Sequence, residues 1–265
     1  ESPAFRFIEA RIQDAPLPSL LDGATHVFHL AAQAGVRKSW GRDFGVYTIN
    51  NIEATQVLLE ACKDRPLERL VYASSSSVYG DEAALPMVET SRPQPVSPYG
   101  VSKLAAEQLC YLYFVNYGVP AVSLRYFTVY GPRQRPDMAF NRFFKAVLAD
   151  QSISLYGDGD QTRDFTFVAD AVEATATAGT RGVPGHVYNI GGGSRVSMNE
   201  VITMIGQITG RVVTIVREPT QKGDMRDTYA DTSLARAELA FSPKVPLPRG
   251  LEAEYRWLTE IRAIG

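Results

Sequence analysis

Arg69-Leu70-Val71-Tyr72-Ala73-Ser74-Ser75-Ser76-Ser77-Val78-Tyr79-Gly80 runs from an apolar strand straight into a row of hydroxyls. Outward from it the same alternation recurs. Upstream, His26-Val27-Phe28-His29-Leu30 and the short Phe5-Arg6-Phe7-Ile8 read as strands; downstream, Ala121 to Tyr126 reads as another. Helical patterns fill the gaps, from about Val46 to Lys63 and from about Pro98 to Tyr117. Gly118-Val119-Pro120 stops the second of them. Strands alternating with long helices predict βαβ units, and so an α/β fold with a doubly wound parallel sheet.

After Gly131-Pro132 the pattern changes. A helix from about Ala139 to Asp150 leads into Ile153-Ser154-Leu155-Tyr156 and the turn Gly157-Asp158-Gly159-Asp160. Short strands near Phe165 and at Val187 to Ile190 follow, then a helix from Ser197 to Thr209 and a strand from Val212 to Val216. An amphipathic helix from Leu251 to Ile264 closes the chain. We read residues 1–132 as the main domain. Residues 133–265 read as a smaller α/β lobe beside the sheet, with some segments returning to it. A doubly wound dinucleotide fold opens with strand, glycine-rich turn and helix. No Gly-x-x-Gly-x-x-Gly occurs here, and Gly191-Gly192-Gly193 reads as a loop of the second lobe. The expectation is a longer parent whose first β-α-β, ~45–55 residues by ordinary element lengths, is absent from this chain.

The composition, 45% hydrophobic and 21% charged over 265 residues, is that of an ordinary globular protein. A net charge of −2 gives no electrostatic reason to expect nucleic acid or an anionic membrane surface. No apolar run approaches the ~18 residues of a membrane span, and no signal peptide opens the chain. A cytoplasmic protein is expected. Cys62 and Cys110 fall in helical patterns and read as reduced, buried thiols rather than disulfide or metal ligands.

Ser97-Pro98-Tyr99-Gly100-Val101-Ser102-Lys103 carries the chemistry. Four residues apart on a helix, Tyr99 and Lys103 share a face. A phenol beside an ammonium is expected to be more acidic, because positive charge favours phenolate. Such a group can take a proton from a sugar hydroxyl near neutral pH.

Taken in order, the segments resemble the extended short-chain dehydrogenase/reductase family, in its nucleotide-sugar epimerase/dehydratase branch. The resemblance runs through His29-Leu30-Ala31-Ala32, Asn50-Asn51, Ser74 to Gly80, Tyr99 to Lys103 and Arg125 to Gly131. It continues through Arg163-Asp164-Phe165, Asn189-Ile190-Gly191 and Gly223-Asp224-Met225-Arg226. It implies a Rossmann-like fold that uses NAD. Tyr99 would be the catalytic base at the sugar 4-OH, giving a 4-keto sugar, with Ser75 hydrogen-bonded to the same hydroxyl. Lys103 would hold the nicotinamide ribose. The cofactor site would be lined by Ile12, Leu30, Ala31, Ala32, Asn51, Ala73, Tyr126 and Val129 together with Tyr99 and Lys103. Arg11 stands where relatives usually place an aspartate that accepts from adenine, and a guanidinium cannot accept.

Branches that eliminate water or decarboxylate carry an acid between the catalytic Ser/Thr and Val-Tyr-Gly; here Ser76 and Ser77 stand there, which favours simple C4 epimerisation. Phe127-Thr128-Val129-Tyr130-Gly131-Pro132 followed by Arg135-Pro136-Asp137-Met138 looks like UDP-glucuronate 4-epimerases. A C6 carboxylate needs a cation or a cluster of donors, and Arg135 with Ser75, Ser76 and Ser77 would supply both; Thr128 would also bind the substrate. Arg163 and Arg226 match the family's diphosphate arginines, Tyr156 and Phe140 would line the uracil side, and Asp224 would accept from ribose. Three alternatives stay open: a UDP-glucose or UDP-N-acetylglucosamine 4-epimerase, a UDP-glucuronate decarboxylase, and a non-catalytic nucleotide-sugar-binding protein. The resemblance also implies a homodimer paired through the helices around Asn51 and Lys103, with Leu104, Leu112 and Tyr113 available for the contact.

Overall fold

Leu70, Val71 and Tyr72 are all buried, because helices cover both faces of the strand they form. The structure is a computed structural model in which residues 4–81 and 83–264 are described, without the side chains of 262–264. Strands β1 (His26–His29), β2 (Arg69–Ser75), β3 (Ala121–Tyr126) and β4 (Val187–Ile190) lie side by side in that order, all parallel. The helices are α1 (Ala54–Cys62), α2 (Pro98–Tyr117), α3 (Ala139–Leu148), α4 (Val168–Arg181), α5 (Met198–Thr209), α6 (Ser233–Leu239) and α7 (Leu247–Ile264). Leu70 and Tyr72 pack against Leu58 and Leu59 of α1 and Ala106 and Cys110 of α2. Val71 points the other way, toward Ala174 and Ala178 of α4 and Ala235 and Leu239 of α6. This alternation is the period of two that a strand imposes.

Local signals set the helix that carries Tyr99 and Lys103. The Ser97 side chain accepts from the Gly100 N–H (3.0 Å), Pro98 occupies the first turn, and Gly118 ends α2 in the left-handed conformation at φ +69°. A helical run of Phe44–Tyr47, then a π turn at Thr48–Glu53, leads into α1. The second lobe packs α3, α5 and α7 around Phe140, Phe144, Val201, Ile205, Leu251 and Leu258. Ser197 and Glu200 form a reciprocal cap at the start of α5.

Several expectations need correction. Phe5–Ile8 forms no strand; among the described residues β1 pairs only with β2, and Phe5 and Phe7 stay exposed. Val187–Ile190, read as a strand of the lobe, is the fourth strand of the main sheet. The strand sought at Val212–Val216 is Ile215–Glu218, since only from Ile215 onward does the chain pair with Ile153–Tyr156. The region near Phe165 holds two short strands, Thr162–Asp164 and Thr166–Phe167. Cys62 and Cys110 are buried and free, as expected. No described helix is long and apolar enough to cross a membrane.

Candidate active site

The carboxyl ends of β2 and β3 bring the serine row to the start of α2. Ser75 sits in register with Tyr126. Its Oγ accepts from the Ser77 N–H (3.2 Å) and is near enough to the Tyr99 hydroxyl to act on it. Tyr99 packs edge-on to Tyr47, ring centroids 6.2 Å apart. Tyr47 in turn donates to the Gly35 carbonyl (2.7 Å), which fixes the loop after β1. Burial pushes the Tyr99 hydroxyl above its ordinary range; the Ser75 hydroxyl and the Arg135 charge pull it back in part.

The expected acidification of Tyr99 by Lys103 is therefore not a property of the protein alone. The Lys103 side chain is buried with Nζ over the Tyr72 ring, 4.4 Å from its centroid, so it points at the sheet. Burial lowers it to about 8. His29, enclosed beside it, is lowered to about 4 by burial first and by the Lys103 charge second; it meets Thr55 Oγ1 at 2.8 Å.

Asn51 is fully enclosed on the π turn. Its Oδ1 accepts from the Gln33 N–H (2.6 Å), and its Nδ2 donates to the Gln33 carbonyl (3.0 Å) and to Ser102 Oγ (2.8 Å). Its amide ties the post-β1 loop to α2, which positions the site rather than offering a free contact. Leu30, Ala31 and Ala32 stand exposed at the end of β1. Ala73 and Val129 are half-buried. Ile12 leans on the core beside Leu58 and Leu59. The Tyr126 hydroxyl is turned to Thr175 Oγ1 (2.6 Å) on α4, and burial raises it to about 12. NAD fits this end of the sheet: Ala31 and Ala32 are small and exposed there and permit close backbone approach, and Lys103 is the residue that would reach its ribose.

Between the sheet and the lobe opens a cleft of about 670 Å³. Thr128, Arg135, Phe140, Tyr156, Arg163 and Asp224 all line it. Ser75, Ser76, Ser77 and Tyr99 are not on its wall; Arg135, which is, acts on the Tyr99 hydroxyl through its charge. Phe140 is also core, tilted against Phe165 at 4.7 Å. Arg226 is not on the wall: its guanidinium pairs with Asp158 (3.2 Å) in solvent, and its carbonyl accepts from Arg163 Nη1 (2.7 Å). It steers Arg163 by its backbone.

The cleft also holds residues the motifs missed. Arg37 lies over the Tyr156 ring (4.0 Å) and donates to Asp224 Oδ2 (2.7 and 3.2 Å). Gln161 donates to the Tyr156 carbonyl (2.7 Å), while its buried Oε1 has no partner among the described residues. The signal for Arg37 was its place: loops at the carboxyl ends of parallel strands hold ligands. Gln161 adjoins the Arg163 motif but carried no signal of its own.

This parallel sheet, with Ser75, Tyr99 and Lys103 gathered at its carboxyl edge, is matched over residues 2–191 by the family model of the NAD dependent epimerase/dehydratase family, and the chain belongs to that family. It is similar to the UDP-glucuronic acid 4-epimerase from Bacillus cereus in complex with UDP-glucuronic acid and NAD: 45% identity, TM-score 0.95, covering 98% of this chain and 83% of that one. It is 44% identical over 258 residues to YtcB of Bacillus subtilis (strain 168), described as an uncharacterized UDP-glucose epimerase, covering 97% of this chain and 81% of the relative. It is 37% identical over 235 residues to the UDP-glucuronate 4-epimerase of Thermodesulfobacterium geofontis (strain OPF15), covering 88% of this chain and 72% of the relative.

Proposed function

We propose that this chain interconverts UDP-glucuronate and UDP-galacturonate at C4, with NAD. The observation that carries this reading is Arg135: it lines the cleft, and its charge acts on the Tyr99 hydroxyl, so a carboxylate-binding cation and a base meet at one end. Bound NAD would supply the hydride acceptor and donor for C4. Tyr99 Oη takes and restores the proton of the 4-OH, and Ser75 Oγ aligns that hydroxyl. Lys103 holds the ribose. Ser76 and Ser77 bring hydroxyls and no acid, so nothing beside the sugar promotes elimination.

The ketone at C4 leaves the uronate a β-keto acid, prone to lose CO2 when its carboxylate stands perpendicular to the carbonyl plane. Arg135 and the serine hydroxyls hold the carboxylate out of that geometry. Arg163 and Arg37 face the diphosphate, with Tyr156, Phe140 and Gln161 toward the base. Residues 1–132 supply the NAD side and 133–265 mainly the nucleotide-sugar side. We place the protein in a reducing cytoplasm, supported by its two free thiols.

A second copy of the chain covers the outer apolar face of α2 and the helix before α1. Val46, Ile49, Tyr111, Leu112 and Val115 are exposed there, whereas Leu104 and Tyr113 turn inward.

The test is to supply NAD and each UDP-sugar. UDP-glucuronate is expected to turn over, and Tyr99→Phe to lower kcat about 10²–10⁴-fold with UDP-glucuronate affinity retained. Turnover of UDP-glucose with none of UDP-glucuronate overturns the reading. That neutral-sugar reading draws on one observation, that Asp137 already matches the Arg135 charge.

A further inference from the structure

Three arginines at the cleft and its rim each hold a carboxylate of the chain itself. Arg37 holds Asp224, Arg226 holds Asp158, and Arg135 holds Asp137. The third pair has a distinct geometry. Arg135 Nε donates to Asp137 Oδ1 and Nη2 donates to Oδ2, both at 3.0 Å. That is the two-pronged match a free carboxylate makes with a guanidinium. Both side chains are about half exposed and both line the cleft.

The loop beneath them is tied down. The Met138 N–H donates to the Arg135 carbonyl (3.1 Å), the Asn141 N–H to Gln134 Oε1 (3.0 Å), and the Gly131 N–H to Glu254 Oε2 (3.0 Å). Side-chain rotation, rather than loop movement, is the available response. A second cation, Lys38, also on the cleft wall, acts on the Asp137 carboxylate.

We propose that Asp137 is a placeholder: it fills the Arg135 fork while no uronate is bound, and the sugar C6 carboxylate displaces it toward Lys38. This rests on the uronate reading above. It makes Asp137 a specificity-determining residue. A uronate exchanges one two-pronged pair for another. A neutral sugar presents a single hydroxyl at C6, cannot match both donors, and leaves Arg135 with Asp137.

The test is calorimetric binding of UDP-glucuronate and of UDP-glucose to the NAD-loaded parent and to Asp137→Asn. An exposed pair contributes little, so UDP-glucuronate is expected to bind about two- to fivefold tighter in the variant. UDP-glucose should be unchanged, and Asp137→Ala should move the ratio the same way. In an Arg135→Ala background the same Asp137 substitution should have no effect. Weaker uronate binding in Asp137→Asn would mean that Asp137 orients Arg135 in the complex and would overturn the proposal. An unmoved affinity ratio, or equal shifts for both sugars, overturns it too. These outcomes hold whichever sugar the parent turns over, whereas turnover of UDP-glucose alone counts against the proposed function itself.

Discussion

At Lys103, burial over the Tyr72 ring disfavours the ammonium and brings it from 10.5 to about 8. Between those values the unfolded chain binds the proton more readily than the folded one. The stability this residue withholds is therefore greatest below pH 8 and is recovered as pH rises toward 10.5. Lys103→Met should exceed the parent in stability at pH 7 by about 1–3 kcal/mol, with the gap closing near pH 10.5. Urea midpoints at the two pH values check this; an equal gap at both would contradict it. The pairing of Tyr99 with Lys103 was legible because a four-residue spacing on a helix fixes a shared side. The proton chemistry was not legible. It depends on Tyr72 beneath the ammonium and on the Ser75 hydroxyl and the Arg135 charge acting on the phenol, groups supplied by strands and a loop distant in sequence.

The helix that presents both residues is anchored by a buried ion pair. Glu107 of α2 and Arg125 of β3 are almost fully enclosed, with Nη2 to Oε1 at 2.6 Å, and Ser74 of β2 donates to Glu107 Oε2 at 2.6 Å. Removing one partner leaves an uncompensated charge inside the protein. Arg125→Met should cost about 3–5 kcal/mol in chemical denaturation, and adding Glu107→Leu should recover much of it. A loss below about 1 kcal/mol for the single variant would show that the pair does not anchor the helix. Elements with strong caps, such as α2 and α5, were readable to within a residue or so. α4 lacks that signal: Phe167 stands at its N-cap and offers no side-chain cap, so nothing in the sequence marks where Val168–Arg181 begins. Phe5–Ile8 carries the alternation of a strand but has no described neighbour to pair with.

Over the whole molecule, the cleft joins segments from both lobes. Thr128 and Arg135 were legible because one contiguous motif carries them. Arg37 was not, since its partner Asp224 lies in the other lobe and the contact exists only after folding. Arg226 shows the converse: its motif was legible, but its pairing with Asp158 and its carbonyl contact to Arg163 were not, since both partners lie far away in sequence. The uronate reading depends on Arg135 more than on any other residue. The most direct measurement is kcat/KM for UDP-glucuronate and for UDP-glucose, with NAD supplied, in Arg135→Ala and in the parent. The expected result is a loss of about ten- to a hundredfold for UDP-glucuronate, as for a lost charge-assisted hydrogen bond, and little change for UDP-glucose. Equal losses for the two sugars would contradict the role given to Arg135, and with it the assignment of a charged sugar to this cleft.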